Sequence, residues 1–152
     1  MTASGKRRTS FSFPNAVHAA YQGVNNSQLG GLARKRRCSV NFTALVVEDD
    51  TLQREALADL LKDEGLEVIE CTSAEAAELV VASTGPELKA LITDVSLTGE
   101  MTGVELAQYA KRKFPHINVI MISGRSPPYI PQDASFLLKP YGPRELLEAA
   151  LL

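Results

Sequence analysis

Cysteine is scarce in this sequence: Cys38 and Cys71 are the only two, and neither belongs to a CxxC pair or a Cys/His cluster. That excludes a zinc site of the usual spacing and a disulfide framework, and a reducing, cytoplasmic setting is the expected one. Long apolar runs are also missing, since nothing approaches the roughly 18 residues of a membrane span. Acid is absent from one whole region. Residues 1 to 47 hold Lys6, Arg7, Arg8, Arg34, Lys35, Arg36 and Arg37 but no Asp or Glu. Of the 16 basic residues, nine remain for the rest of the chain against all 18 acidic ones, a net of −9 that the overall −2 conceals.

The basic region, with "KRRTS", "GVNNSQLGG" and "RKRR", has no helical or strand periodicity and is rich in Ser, Asn and Gly. Residues 1–41 are therefore read as a disordered tail. Its Arg-rich, acid-free composition suits contact with nucleic acid, a membrane or other acidic surfaces, or a transit peptide; an unstructured extension or an upstream translation start accounts for it equally simply. Residues 42–152 are expected to form one globular domain, in keeping with 45% hydrophobic and 22% charged residues over the 152-residue chain.

That domain alternates short apolar runs with amphipathic segments, the pattern of β/α units and a parallel sheet. The runs "ALVV" (44–47), "EVIEC" (67–71), "KALITD" (89–94), "NVIMIS" (118–123) and "SFLLK" (135–139) predict five strands. Residues 51–64 place Leu52, Ala56, Leu57, Leu60 and Leu61 on one helical face, with Gly65 as a stop. Thr72 with Glu75, and Thr102 with Glu105, read as capping boxes opening two further helices, the second ending at Pro115. Gly142-Pro143 starts a last helix. Between the fourth and fifth strands stands only "GRSPPYIPQDA" (124–134), whose three prolines allow at most one helical turn.

In open α/β sheets ligands bind outside the carboxyl ends of the strands. Glu48, Asp49 and Asp50 follow the first strand, Asp94 ends the third, Ser123 the fourth and Lys139 the fifth. Each has an ordinary explanation alone, as a cap, a turn or a solvated charge; their joint placement on one rim is what points to chemistry. Like charges about 4 Å apart at an effective dielectric of about 20 cost roughly 4 kcal/mol. Protonation, a Lys or Arg, a helix N-terminus or a metal ion could relieve the crowding. With three or four carboxylates against one Lys, a hard dication such as Mg²⁺ fits best. A metal, a free carboxylate, a hydroxyl and an ammonium suit phosphoryl transfer, with the isolated Asp94 as nucleophile.

The motifs "LVVEDD", "LITDVSLTGEMTGVELA", "VIMISG" and "FLLKPY", in that order over about residues 43–152, resemble the receiver domain of two-component response regulators. The resemblance implies a flavodoxin-like α/β fold, a three-layer sandwich whose five-stranded parallel sheet runs 2-1-3-4-5. It implies Asp94 as phosphoacceptor, receiving its group from a histidine kinase or histidine phosphotransfer protein. Asp49 would hold Mg²⁺ directly, Glu48 through water, and Ser96 through its carbonyl, with Asp94 completing the set. Ser123 matches the switch hydroxyl, Lys139 the phosphate-pairing ammonium and Phe136 the switch aromatic, although an aromatic in a strand is more often core. Asp50 falls outside the acid pair and is expected to cap the following helix. The Lys139-Pro140 peptide is expected to be cis.

Three departures from the family pattern stand out. The Pro-rich link replaces a full helix, which cuts back the usual signalling face. The Asp94–Gly103 loop is one residue longer than usual and lacks the common Pro. Shortened receivers of this kind resemble single-domain regulators of alphaproteobacteria. The expected function is thus a phosphoaccepting switch, not an enzyme, that signals by protein contact without a DNA-binding or other output domain. A degenerate receiver that docks partners without phosphorylation is the alternative. A Mg²⁺-dependent phosphohydrolase is a weaker one, because Val95 and Ser96 break the DxD pattern.

Overall fold

The computed structural model describes residues 42–151; the tail expected over 1–41 lies outside them. Five strands, β1 (Thr43–Val47), β2 (Glu67–Cys71), β3 (Leu88–Asp94), β4 (Asn118–Ser123) and β5 (Ala134–Leu138), alternate with four helices, α1 (Thr51–Asp63), α2 (Ala74–Thr84), α3 (Gly103–Lys113) and α4 (Pro143–Leu151). The strands form one parallel sheet in the order β2-β1-β3-β4-β5, as expected from the motif order.

Strand residues alternate between two cores, because successive side chains leave a strand on opposite faces. Leu45, Val47, Leu91, Val119 and Met121 pack with Ala77 and Val81 of α2 and Leu106 and Ala110 of α3. Ala44, Val46, Ala90, Ile92, Ile120 and Ile122 pack with Leu57 and Leu61 of α1 and Leu146 and Ala150 of α4. The central strands are covered on both sides, which explains their nearly unbroken apolar runs. Fully buried Leu61 and Ile120 each contribute roughly 1.5–3 kcal/mol by leaving water.

The helix starts follow local chemistry. Asp50 accepts the Gln53 N–H at 2.9 Å and caps α1, as its place outside the acid pair suggested. Thr102 and Glu105 form the expected reciprocal box at α3. At α2 the expectation fails. Ser73, not Thr72, is the cap, accepting the Ala76 N–H at 3.2 Å, and Glu75 also reaches a distant loop. Two adjacent hydroxyls offered two registers, and the helix starts from the second.

The link between β4 and β5 contains no regular helix. The layer that carries α2 and α3 therefore has no third helix, and Tyr129, Ile130 and Leu138 are left exposed.

Candidate functional site

Strand register brings the rim together. Asp94 on β3 lies level with Ile122 on β4, one residue before Ser123, and Ser123 lies level with Leu138, one residue before Lys139. The Lys139 N–H donates to the Ser123 carbonyl at 2.8 Å, continuing the ladder one step past β5. The fifth strand is thus one residue shorter than the sequence suggested at this end, and Lys139 stands on the loop beyond it. The Lys139-Pro140 peptide is cis, as the resemblance implied.

Glu48, Asp94 and Ser123 are buried despite their polarity. Lys139 Nζ donates to Asp94 Oδ2 at 2.6 Å, to Gln53 Oε1 at 2.6 Å and to Glu48 Oε2 at 3.3 Å, which uses all three ammonium protons. Asp94 Oδ1 accepts the Ser96 N–H at 2.8 Å, so both acceptor oxygens are engaged. Ser123 Oγ accepts the Arg125 N–H at 3.3 Å, which leaves its own hydroxyl proton free to point into the rim.

The charge balance is uneven. Burial pushes the Glu48 carboxyl up to about 7; the Asp50 N–H and the Lys139 ammonium oppose this and the Asp94 carboxylate adds to it. Partial burial works against ionisation of Asp49, but the Glu48 carboxyl and the Thr98 hydroxyl and N–H beside it prevail and hold it below the usual carboxylate range. Burial alone would lower the Lys139 ammonium, yet Asp94 and Glu48 together outweigh it and raise it. Two carboxylates, Glu48 and Asp94, thus share one ammonium, while Asp49 is held by Glu48 and Thr98.

Among the described residues no three His, Cys, Asp or Glu side chains converge as a ready cation cage. Glu48 and Asp94 close on Lys139 instead, which among the described residues is the only cation paired with both. Phe136 lies half-buried on β5, packed against the α2/α3 core, the bland position that an aromatic in a strand was expected to take. Sequence reasoning missed Gln53. It lies in the first turn of α1, and only the folded sheet, with β3 and β4 between β1 and β5, brings its amide oxygen to Lys139.

The loop from Asp94 to α3 is tightly built. Gly103 packs so closely on Asp94 that a Cβ there would lie 1.9 Å from the Asp94 carbonyl oxygen, and its N–H donates to the Val95 carbonyl at 3.2 Å. Val95, Leu97 and Met101 lean on the α2/α3 core.

A parallel sheet in this order, with its acid, hydroxyl and ammonium groups on the carboxyl rim, defines a doubly wound fold with a site at one edge. The chain belongs to the response regulator receiver domain family, whose model matches residues 44–151. It is similar to the response regulator protein FleR of Pseudomonas aeruginosa, 36% identical over 110 residues, which are 68% of this chain and 23% of that protein. It is also similar to nodulation protein W of Bradyrhizobium diazoefficiens, 33% identical over 122 residues, 74% of this chain and 51% of that one. The chain thus spans from about a quarter to half the length of these relatives. The crystal structure of a response regulator receiver protein from Sinorhizobium medicae WSM419 superposes with a TM-score of 0.68 at 23% identity, covering 72% of this chain and 91% of that one, a likeness of fold. No helix among the described residues is long and apolar enough to cross a membrane.

Proposed function

We propose that this domain is a phosphoaccepting switch of a two-component or phosphorelay system, with Asp94 as the acceptor. The single observation that carries the reading is the Lys139 ammonium on Asp94 Oδ2 at 2.6 Å, with the Ser123 hydroxyl one strand away on the same rim. In the proposed step an Asp94 oxygen attacks the phosphorus of a phosphohistidine on a histidine kinase or phosphotransfer protein. The phosphorus–nitrogen bond breaks, the imidazole keeps the electron pair, and a phosphorus–oxygen bond to Asp94 forms. Lys139 and Ser123 donate to the phosphoryl oxygens as charge develops on them. Phosphorylation would draw Ser123 inward and so offer Phe136 a path to change rotamer.

The donor set fits Mg²⁺. Glu48, Asp49 and Asp94 supply hard carboxylate oxygens and Ser96 supplies a carbonyl, the oxygen donors such a dication takes. Asp49, Asp94 and the Ser96 carbonyl would hold the ion, with Glu48 acting through water. When bound, the ion neutralises charge on the transferring group. The remaining work belongs to the chain: Ser96 N–H aims Asp94, and Gln53 and Glu48 hold Lys139 at the mouth. Output is proposed to pass by protein contact in the cytoplasm.

Incubation with acetyl phosphate and Mg²⁺ tests this. A base-labile adduct is expected in the wild type and not in Asp94→Asn. Absence of an adduct from wild type would favour a phosphorylation-independent binding module, and release of phosphate over many rapid turnovers would favour a phosphohydrolase.

A further inference from the structure

Glu75 was expected to close a capping box with Thr72, and its carboxylate binds a distant loop as well as its own helix start. Its Oε1 accepts the N–H of Glu100 at 2.7 Å and the N–H of Met101 at 2.9 Å, 25 and 26 residues on. Both amides lie in the loop that runs from Asp94 to α3. Between them and Asp94 sits Gly99, with φ at +131, a backbone conformation that side chains with a Cβ rarely adopt. A Cβ at Gly99 would also come within 2.6 Å of Glu75 Oε1. The glycine is what lets the loop close over the carboxylate.

The loop carries two groups of the rim. Ser96 donates its N–H to Asp94 and offers its carbonyl to the proposed metal site. Thr98 lies beside the Asp49 carboxylate. The loop is fixed at its ends by the Val95 N–H on the Ile122 carbonyl at 2.8 Å and by the Gly103 N–H on the Val95 carbonyl. The backbone of residues 97–101 has no strand or helix partner, and the Glu75 carboxylate takes over that role.

We infer that Glu75 is a positioning residue for the Asp94 site: by holding the 100–101 amides it fixes the Ser96 carbonyl and Thr98 against Asp49, and so sets the affinity for Mg²⁺. This rests on the metal site proposed above. Outer partners of metal ligands are known to matter at this level, their loss costing about 10- to 100-fold in metal affinity. Because one oxygen accepts both N–H groups, the neutral amide oxygen of a glutamine can do the same.

The test uses the full chain, with Mg²⁺ titrated by calorimetry and amide hydrogen exchange followed residue by residue. Glu75→Ala is expected to weaken Mg²⁺ binding about tenfold and to speed exchange over residues 96–101, with the thermal midpoint of the sheet nearly unchanged. Glu75→Gln is expected to restore binding to within about twofold of wild type. Gly99→Ala, with Glu75 intact, should reproduce the Ala phenotype by displacing the loop, and it decides the matter if Glu75→Ala does not fold. Wild-type Mg²⁺ affinity in both Glu75→Ala and Gly99→Ala would overturn the inference, as would protected 100–101 amides in Glu75→Ala. If the wild type itself takes up no Mg²⁺, the metal part of the proposed function fails. Exchange at Ser96 and Thr98 in the same variants then decides the tether alone, unchanged rates overturning it.

Discussion

The rim around Asp94 and the link from Gly124 to Asp133 begin at the same end of the sheet and are built by opposite means. At the rim, every buried side-chain nitrogen and oxygen among the described residues has a partner, and one ammonium is shared by Asp94, Gln53 and Glu48. The link has few bonds of its own, notably the Ala134 N–H on the Pro131 carbonyl at 3.1 Å, and it leaves Tyr129 and Ile130 in solvent. Three prolines remove donors and forbid helix, so the link cannot satisfy itself the way a helix would. The contrast places the groups of the proposed acceptor site on strand register and the β3–α3 loop, and not on the layer beside β5 that lacks a helix.

Substitutions can break or sharpen this contrast. The largest effect is expected on the rim side from Gly103→Ala. Its Cβ would collide with the Asp94 carbonyl, backbone that cannot turn aside, so denaturant unfolding should show a loss of about 3 kcal/mol or more and adduct formation should fail. Next comes Lys139→Ala, which leaves Glu48 and Asp94 without their cation. Breaking a fully buried pair costs roughly 3–5 kcal/mol, but the Lys139 side chain is a quarter exposed, so solvent screening reduces the expected loss to about 1–2 kcal/mol. Asp50→Ala removes the α1 cap and should cost about 1 kcal/mol, lowering the thermal midpoint by a few degrees while the adduct still forms.

On the link side, Ile130→Ser should change stability by no more than about 0.5 kcal/mol and leave adduct formation at the wild-type rate. A loss as large as that of Lys139→Ala would mean that the link supports the rim, and the contrast would be gone. The smallest expected effect concerns pH. The Thr102 N–H and hydroxyl hold the Glu105 carboxyl below its ordinary 4.5. A depressed folded-state pKa gives stability that is complete above 4.5 and fades as pH falls through the lower folded value. Glu105→Gln should therefore lower the neutral plateau of a stability profile slightly and flatten its acid limb, the difference from wild type vanishing at the lowest pH.

Much of this was legible in the residues. The strand runs, the Asp50 and Thr102 caps and the Pro-rich link are local signals, because apolar alternation, a side-chain oxygen before a helix and a missing N–H each act within a few residues. The order of motifs along the chain also carried the positions of Glu48, Asp94, Ser123 and Lys139. Glu75 shows where such reading stops. Its spacing from Thr72 fits a capping box, yet its partners are 25 and 26 residues away. Gln53 meets Lys139 across 86 residues, and nothing near Gln53 announces it.

The sequence by itself determined which strands form and, to within a residue, where they end, since hydrophobic period, prolines and caps are properties of short segments. It also determined that acid would be in excess around the first strand's tip. Only the tertiary structure decided how that excess is shared, with Lys139 between Asp94 and Glu48 and with Glu75 reaching from its helix start to a distant loop. Those choices depend on distances between segments far apart in the chain, and such distances exist only once the sheet has set its register.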